Sequence, residues 1–155
     1  MKRVYTGSYS KCKAGNLISI SKDSGKDAGF VGKVMLEFAP KENFFRTWRN
    51  NRGVISEEEN TRYYIREYYR QILSKVNIEE LLKDEKDPIL LCYEDSSEFC
   101  HRHVVAEFIK MKYGIEVPEI EIDENLQIKE NKRPSNIRKI LEEVIEKEEE
   151  AIEIE

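Results

Sequence analysis

The stretch Ile89-Leu90-Leu91-Cys92-Tyr93-Glu94, followed after five residues by Cys100-His101-Arg102-His103, decides the fold. Its first five residues are apolar at both alternating positions, as expected of a strand covered by helices on both sides of a parallel sheet. Asp87-Pro88 stops whatever precedes it. A helix is predicted from about Cys100 to Tyr113, with Gly114 as its left-handed stop, and Ile115 to Ile122 resumes an extended segment broken by Pro118. Upstream, Lys2 to Tyr5 and Leu17 to Ser21 are short Val/Ile/Tyr-bearing runs bounded by Gly, Ser and Asn, which reads as two further strands. Strand, helices, strand, helix, strand is the order of an α/β domain with a mainly parallel sheet flanked by helices and joined by right-handed crossovers.

The segments between these strands carry their own signals. Lys22 to Pro40 contains Gly25, Gly29 and Gly32 without a sustained period and reads as a long loop. Lys41 to Arg52 predicts a short aromatic helix bearing Phe44, Phe45 and Trp48. Ser56-Glu57-Glu58-Glu59 is a capping box that opens a helix reaching about Val76, and Asn77-Ile78-Glu79-Glu80 starts a shorter one through about Lys83. The α/β domain is assigned to residues 1–122. Residues 123–155 form an acidic C-terminal extension, in which Ile137, Ile140, Leu141, Val144 and Ile145 recur at helical spacing. This appended amphipathic helix is expected to dock on its own domain, with self-association or a protein partner through residues 135–147 as the alternative.

Composition bounds the function. The chain has 155 residues, 37% charged and 39% hydrophobic, enough for one core and too apolar for a disordered chain. No run approaches the roughly 18 apolar residues of a membrane span, and no apolar stretch follows the basic start of the chain, so a secretory signal is not expected and cytoplasm is the default. Residues 1–75 carry a net charge of +7 and residues 76–155 one of −12. The basic half suits an anionic partner, a nucleotide or nucleic acid; mutual neutralisation of the two halves is the plainer alternative. Three cysteines, Cys12, Cys92 and Cys100, are read as thiols.

Ligands of open parallel sheets bind outside the carboxyl ends of the strands, where helix amides point. Three loops qualify: Thr6-Gly7-Ser8, Ser21 to Lys26, and Tyr93 to His101. The third brings Cys92 and Glu94 to the end of the buried strand and Cys100, His101 and Arg102 to the start of the next helix. Helical projection turns His101 inward and His103 toward water. The helix dipole favours a Cys100 thiolate and a neutral His101. Glu94 paired with Arg102 as a purely conformational clamp is the plainer reading. A zinc site from Cys92, Cys100 and His101 is the lesser reading, since its spacing matches no common structural pattern and adjacent residues rarely both ligate; no cofactor is implied. Thiol redox chemistry is weakened because Cys92 and Cys100 are not in C-x-x-C spacing. Gly25-Lys26 falls short of a Walker loop, with Ile20 where a glycine is needed and Asp27 where a hydroxyl is needed, although Lys26 can still reach an anion. Arg62, Arg66 and Arg70 share one helical stripe, with Arg46, Arg49, Arg52 and Trp48 upstream. Such a stripe is a candidate nucleic-acid surface, or else a face that pairs with the acidic half.

The strand ending in Cys92-Tyr93-Glu94 and the triplet Cys100-His101-Arg102 also resemble the family known as domain of unknown function 488, together with an opening Tyr5-Thr6-Gly7-Ser8 one residue tighter than the usual form. The resemblance covers roughly residues 1–120 and implies a compact α/β protein with its site at these residues, without naming a reaction. The residue types themselves lead to a small enzyme acting on a nucleotide or nucleic-acid component, by hydrolysis or transfer at a glycosidic or phosphoester bond. In that reading Glu94 is the general acid or base, Cys100 and His101 orient or react, and Arg102, Ser8 and Lys26 hold the anion. The alternative is a non-catalytic module that binds nucleic acid or protein through the arginine stripe and the C-terminal helix.

Overall fold

The computed structural model describes residues 3–154. Five parallel strands and one antiparallel edge strand form a single sheet in the order β3-β2-β4-β1-β5-β6. In chain order these are β1 (Tyr5–Ser8), β2 (Asn16–Ser19), β3 (Lys33–Val34), β4 (Pro88–Cys92), β5 (Glu119–Ile122) and β6 (Ile128–Asn131). β4 is central: it pairs with β1 through Tyr5–Ile89 to Ser8–Cys92 and with β2 through Asn16–Pro88 to Ser19–Leu91. All five of its residues are buried, as the double-faced apolar run requires. The first strand starts at Tyr5 rather than ahead of it, which places Thr6, Gly7 and Ser8 inside the strand; Lys2 lies outside the described residues.

The helices are α1 (Glu42–Asn51), α2 (Glu57–Tyr68), α3 (Ile78–Leu82), α4 (His101–Tyr113) and α5 (Ile137–Ile154). Ser56 caps α2 by accepting the Glu59 amide at 3.1 Å, Asn77 caps α3 by accepting that of Glu80 at 3.0 Å, and Gly114 ends α4 at φ 70°. α2 gives way to one π-helical turn over Tyr69–Leu73, which keeps Ile72 and Leu73 buried. The long segment after β2 contains short 3-10 turns and β3 rather than an unbroken loop.

Helices do not cover both faces of the sheet. Buried residues of all five helices pack with Val4, Ile18, Ile20 and Leu90 into one core, whereas Ile89, Leu91, Ile120 and Ile122 on the other face are covered by Cys12, Tyr9 and Phe30 from loops. β4 is thus apolar on both sides because a loop, not a helix, seals the second one.

Residues 123–154 complete this domain rather than trail from it. β6 pairs with β5 from Glu119–Asn131 to Ile122–Ile128, and α5 buries Ile137, Ile140, Leu141 and Val144 in the main core, packed against α2 and α4. The apolar face proposed for self-association is therefore used within the chain. Among the described residues no helix is long and apolar enough to cross a membrane.

Candidate functional site

At the carboxyl ends of β2 and β4 the sheet opens into a crevice with two lobes. One lobe, about 260 Å³, is walled by Phe45, Trp48 and Arg49 of α1, Ser21, Lys22 and Asp23 after β2, and Tyr93, Glu94, Phe99 and His101 after β4. The other, about 560 Å³, lies between the end of α1, the start of α2 and the segment Glu94 to Phe99. Trp48, Glu94 and Phe99 line both. This is where a parallel sheet exposes its loop ends.

Each wall has a local cause. α1 lays its aromatic stripe toward the strand ends, with Trp48 meeting Phe99 at a ring separation of 6.0 Å and Tyr64 of α2 at 5.4 Å. Its cations lean on these rings, Arg49 5.5 Å from the centre of Phe45 and Arg52 5.0 Å from that of Trp48. Lys22 also lies over Phe45 and pairs with Glu42. Asp23 closes the loop on itself: it accepts the amides of Gly25 at 2.8 Å and Asp27 at 3.1 Å, the Ser21 hydroxyl at 3.2 Å, and the phenol of Tyr93. Partial burial raises the Asp23 pKa, but those donors outweigh it and lower it overall. The Tyr93 phenol is pushed up by desolvation and by the same carboxylate, so it stays a donor.

Of the residues expected to act, Glu94 stands in the crevice, half-buried, and among the described residues its carboxylate has no hydrogen-bond or ion-pair partner. His101 is inward-facing, as projected, with Nε2 2.8 Å from the carbonyl of Ile20, and desolvation lowers its pKa to about 4. Cys100 immediately precedes α4 without making a side-chain capping bond and is joined to Cys92, so the two are not the free thiols expected, whereas Cys12 is free. Both sulfurs were brought together because the end of β4 and the start of α4 are adjacent in space.

Arg102 is the main correction. It is fully buried and does not line the crevice. Its guanidinium donates to Glu119 of β5 through Nε at 3.0 Å and Nη2 at 2.7 Å, to the Glu94 carbonyl at 2.6 Å and to Cys92 Sγ at 3.2 Å. The carboxylate that pairs with it is thus Glu119, not Glu94; four of the five N–H donors are taken inside the protein, and the buried head does not face the crevice. Glu119 also accepts from Thr6 and from Ser96, each at 2.7 Å. Burial alone would raise the Glu119 carboxyl, yet the hydrogen bonds and charge of Arg102 hold it at about 2.

His103 is likewise buried, not water-facing. Arg133, from the segment after β6, donates to His103 Nδ1 at 2.9 Å and to Thr6 at 3.0 Å, and desolvation takes the imidazole pKa down to about 3. Ser8 is buried beside Ser10, and Lys26 stands exposed outside the crevice wall. The cations on the crevice walls are instead Lys22, Arg49 and Arg52, residues whose position there no local motif announces.

The arginine stripe that runs along α2 into the π-helical turn is paired with acids of the same chain. Arg62 meets Glu143 at 2.7 Å and Arg70 meets Glu148 at 2.7 Å, both on α5, while Arg66 pairs with neighbouring Glu67 at 3.2 Å. The plainer reading of the charge asymmetry holds on this face.

No curated protein and no solved structure matches the chain. The family model DUF488-N3a, described as the active DUF488-N3 subclade, matches residues 13–113, a span that includes most of both crevice walls and the segment from Cys92 to Arg102, and the chain therefore belongs to the DUF488 family.

Proposed function

We propose that the chain is a small cytoplasmic enzyme acting on a nucleotide or nucleic-acid component, by hydrolysis or transfer at a glycosidic or phosphoester bond in the two-lobed crevice. The observation that carries this reading is Glu94: a half-buried carboxylate, without a partner among the described residues, at the wall shared by both lobes. A substrate spanning the lobes brings its scissile bond past this group, which serves as general acid or base. Trp48 and Phe99 offer a stacking surface for a base, and Arg49, with no carboxylate paired to it among the described residues, supplies charge for a phosphate. Arg102 and Glu119 support the floor from behind, since the Arg102 bond to the Glu94 carbonyl fixes the backbone on which that carboxylate stands.

The alternative, a non-catalytic module binding nucleic acid or protein through the arginine stripe and the C-terminal helix, is less favoured because Arg62 and Arg70 pair with acids of α5, Arg66 pairs with Glu67, and the apolar face of α5 is buried in the core. The test is a turnover screen over nucleosides, nucleotides and short oligonucleotides with wild type, Glu94→Gln and Arg49→Ala. Turnover by wild type should fall by about 10²–10⁴-fold in Glu94→Gln, while Arg49→Ala raises KM for phosphorylated substrates. Undiminished turnover in Glu94→Gln removes the assignment.

A further inference from the structure

The crevice floor holds a second group of side chains that the chemistry of Glu94 does not use. Cys92 ends β4, Cys100 and His101 open α4, and the ligand-capable atoms of all three lie within 4.8 Å of one another. His101 Nδ1 is 3.9 Å from Cys100 Sγ. The other ring nitrogen, Nε2, stands 2.8 Å from the Ile20 carbonyl, which can only accept, so Nε2 carries the proton and Nδ1 presents its lone pair to the sulfurs. A disulfide makes no use of such a histidine. A metal ion does: a ligating imidazole commonly donates its remaining N–H to a backbone carbonyl, which fixes both tautomer and ring orientation.

Spacing and charge agree. A tetrahedral zinc, at about 2.3 Å from sulfur and about 2.1 Å from nitrogen, spaces its ligand atoms about 3.6–3.8 Å apart; His101 Nδ1 already stands 3.9 Å from Cys100 Sγ, and the two sulfurs, bonded to each other here, must move apart on reduction to admit the ion. The Cα atoms of Cys92 and Cys100 are 7.5 Å apart, wider than the roughly 4.4–6.8 Å that disulfides usually span, so the backbone suits a larger object between the sulfurs. Two thiolates and a neutral imidazole cancel a divalent charge, and the nearby Arg102 is already balanced by Glu119. Arg102 Nη1 donates to Cys92 Sγ at 3.2 Å, a bond that a thiolate ligand accepts well.

We propose that Cys92, Cys100 and His101, with both cysteines reduced, form a zinc-binding site in the crevice wall. All three side chains line the crevice, so the fourth coordination position opens toward its occupant; three protein ligands with one open position is the pattern of zinc sites that act on a substrate rather than merely brace a fold. The site rests on its own geometry and not on the role given to Glu94, so either assignment can fail without the other.

The test reads metal, not turnover. Full-length protein is reduced with a phosphine, exchanged anaerobically into zinc sulfate, desalted, and analysed for zinc by mass spectrometry. Reduced wild type should retain about one zinc per chain, and Cys92→Ser/Cys100→Ser and His101→Ala should retain under about a tenth of that. Wild type oxidised with diamide is a control that needs no substitution. There the two thiolates each lose one electron, the S–S bond forms, diamide takes the two electrons with two protons from water, and zinc leaves. Cobalt in place of zinc should show a sulfur-to-metal charge-transfer band in the reduced form alone. Zinc retention no greater in reduced than in oxidised wild type overturns the proposal, and so does full retention by a folded His101→Ala.

Discussion

The pair of Arg102 and Glu119 allows the sharpest test of how the floor of the site is built. Replacing Glu119 by Gln keeps the shape of the side chain and removes its charge. Arg102 is 0% exposed, and its only carboxylate within 4 Å among the described residues is Glu119, so the variant leaves a guanidinium buried without a counter-ion. Removing one partner of a buried pair costs about 3–5 kcal/mol, far more than the net worth of the intact pair. Arg133, 3.8 Å from the same carboxylate, and the donors Thr6 and Ser96 lose their acceptor charge as well, which places the cost toward the upper end of that range. For a chain of this size, about 2–4 °C per kcal/mol makes this a fall in Tm of roughly 6–20 °C. Urea unfolding followed by far-UV circular dichroism, with Tm from calorimetry, measures both. A loss below about 1 kcal/mol would refute the argument that Arg102 is committed to Glu119, and would return it to the pool of cations free to bind substrate.

Two further outcomes follow from the same geometry. In metal-free protein, His101 and His103 are held neutral with pKa values of about 4 and 3, and Glu119 is held ionised down to about 2. The unfolded chain binds protons at the histidines below about pH 6.5 and at Glu119 below about 4.5, so stability is full above pH 6.5 and falls as pH drops toward 4 and then toward 2, by about 2–3 kcal/mol per pH unit near pH 5; urea midpoints that do not move between pH 7 and 5 would contradict this. Gly7→Ala places a methyl 2.4 Å from Cys12 Sγ and 2.9 Å from the Ile120 carbonyl, so it should destabilise by about 1–3 kcal/mol, and a thermal melt unchanged from wild type would show that the loop over this face yields freely.

What could be read from the sequence was mostly local. The run Pro88 to Cys92 announces a central strand because every residue is apolar, and Ser56 and Asn77 announce helix starts because a cap acts within three residues. Polar Lys129-Glu130-Asn131 hides β6, an edge strand whose first three residues are exposed and which needs no alternation. A 100° wheel turns His103 to a wet face because it assumes one dry side. α4 is buried nearly all round from His101 to Ala106 because the sheet lies on one side and α5, with Arg133, on another. Glu94 is the natural partner for Arg102 in the sequence because the two stand at opposite ends of one strand-to-helix connection. The signal for Glu119 was present but weak: in Val117-Pro118-Glu119 a carboxylate falls at an inward-facing position of a strand, where it requires a buried cation.

That exchange of partners bears on the proposed reaction. A loop-end carboxylate salted to a buried arginine has its charge spent and its geometry fixed; Glu94 is neither, because Arg102 takes only its backbone carbonyl and Glu119 satisfies the guanidinium. The arginine therefore positions the acid without quenching it. In the proposed reaction substrate charge is met from α1, where Arg49 lies 5.5 Å from the Phe45 ring centre with no carboxylate paired to it among the described residues. Arg49 and Glu94 line the same lobe together with Trp48 and Phe99, and the proposed reaction gives the two charges different tasks, the arginine holding an anion and the acid moving a proton. An arginine bound directly to Glu94 would have merged those roles and disabled both.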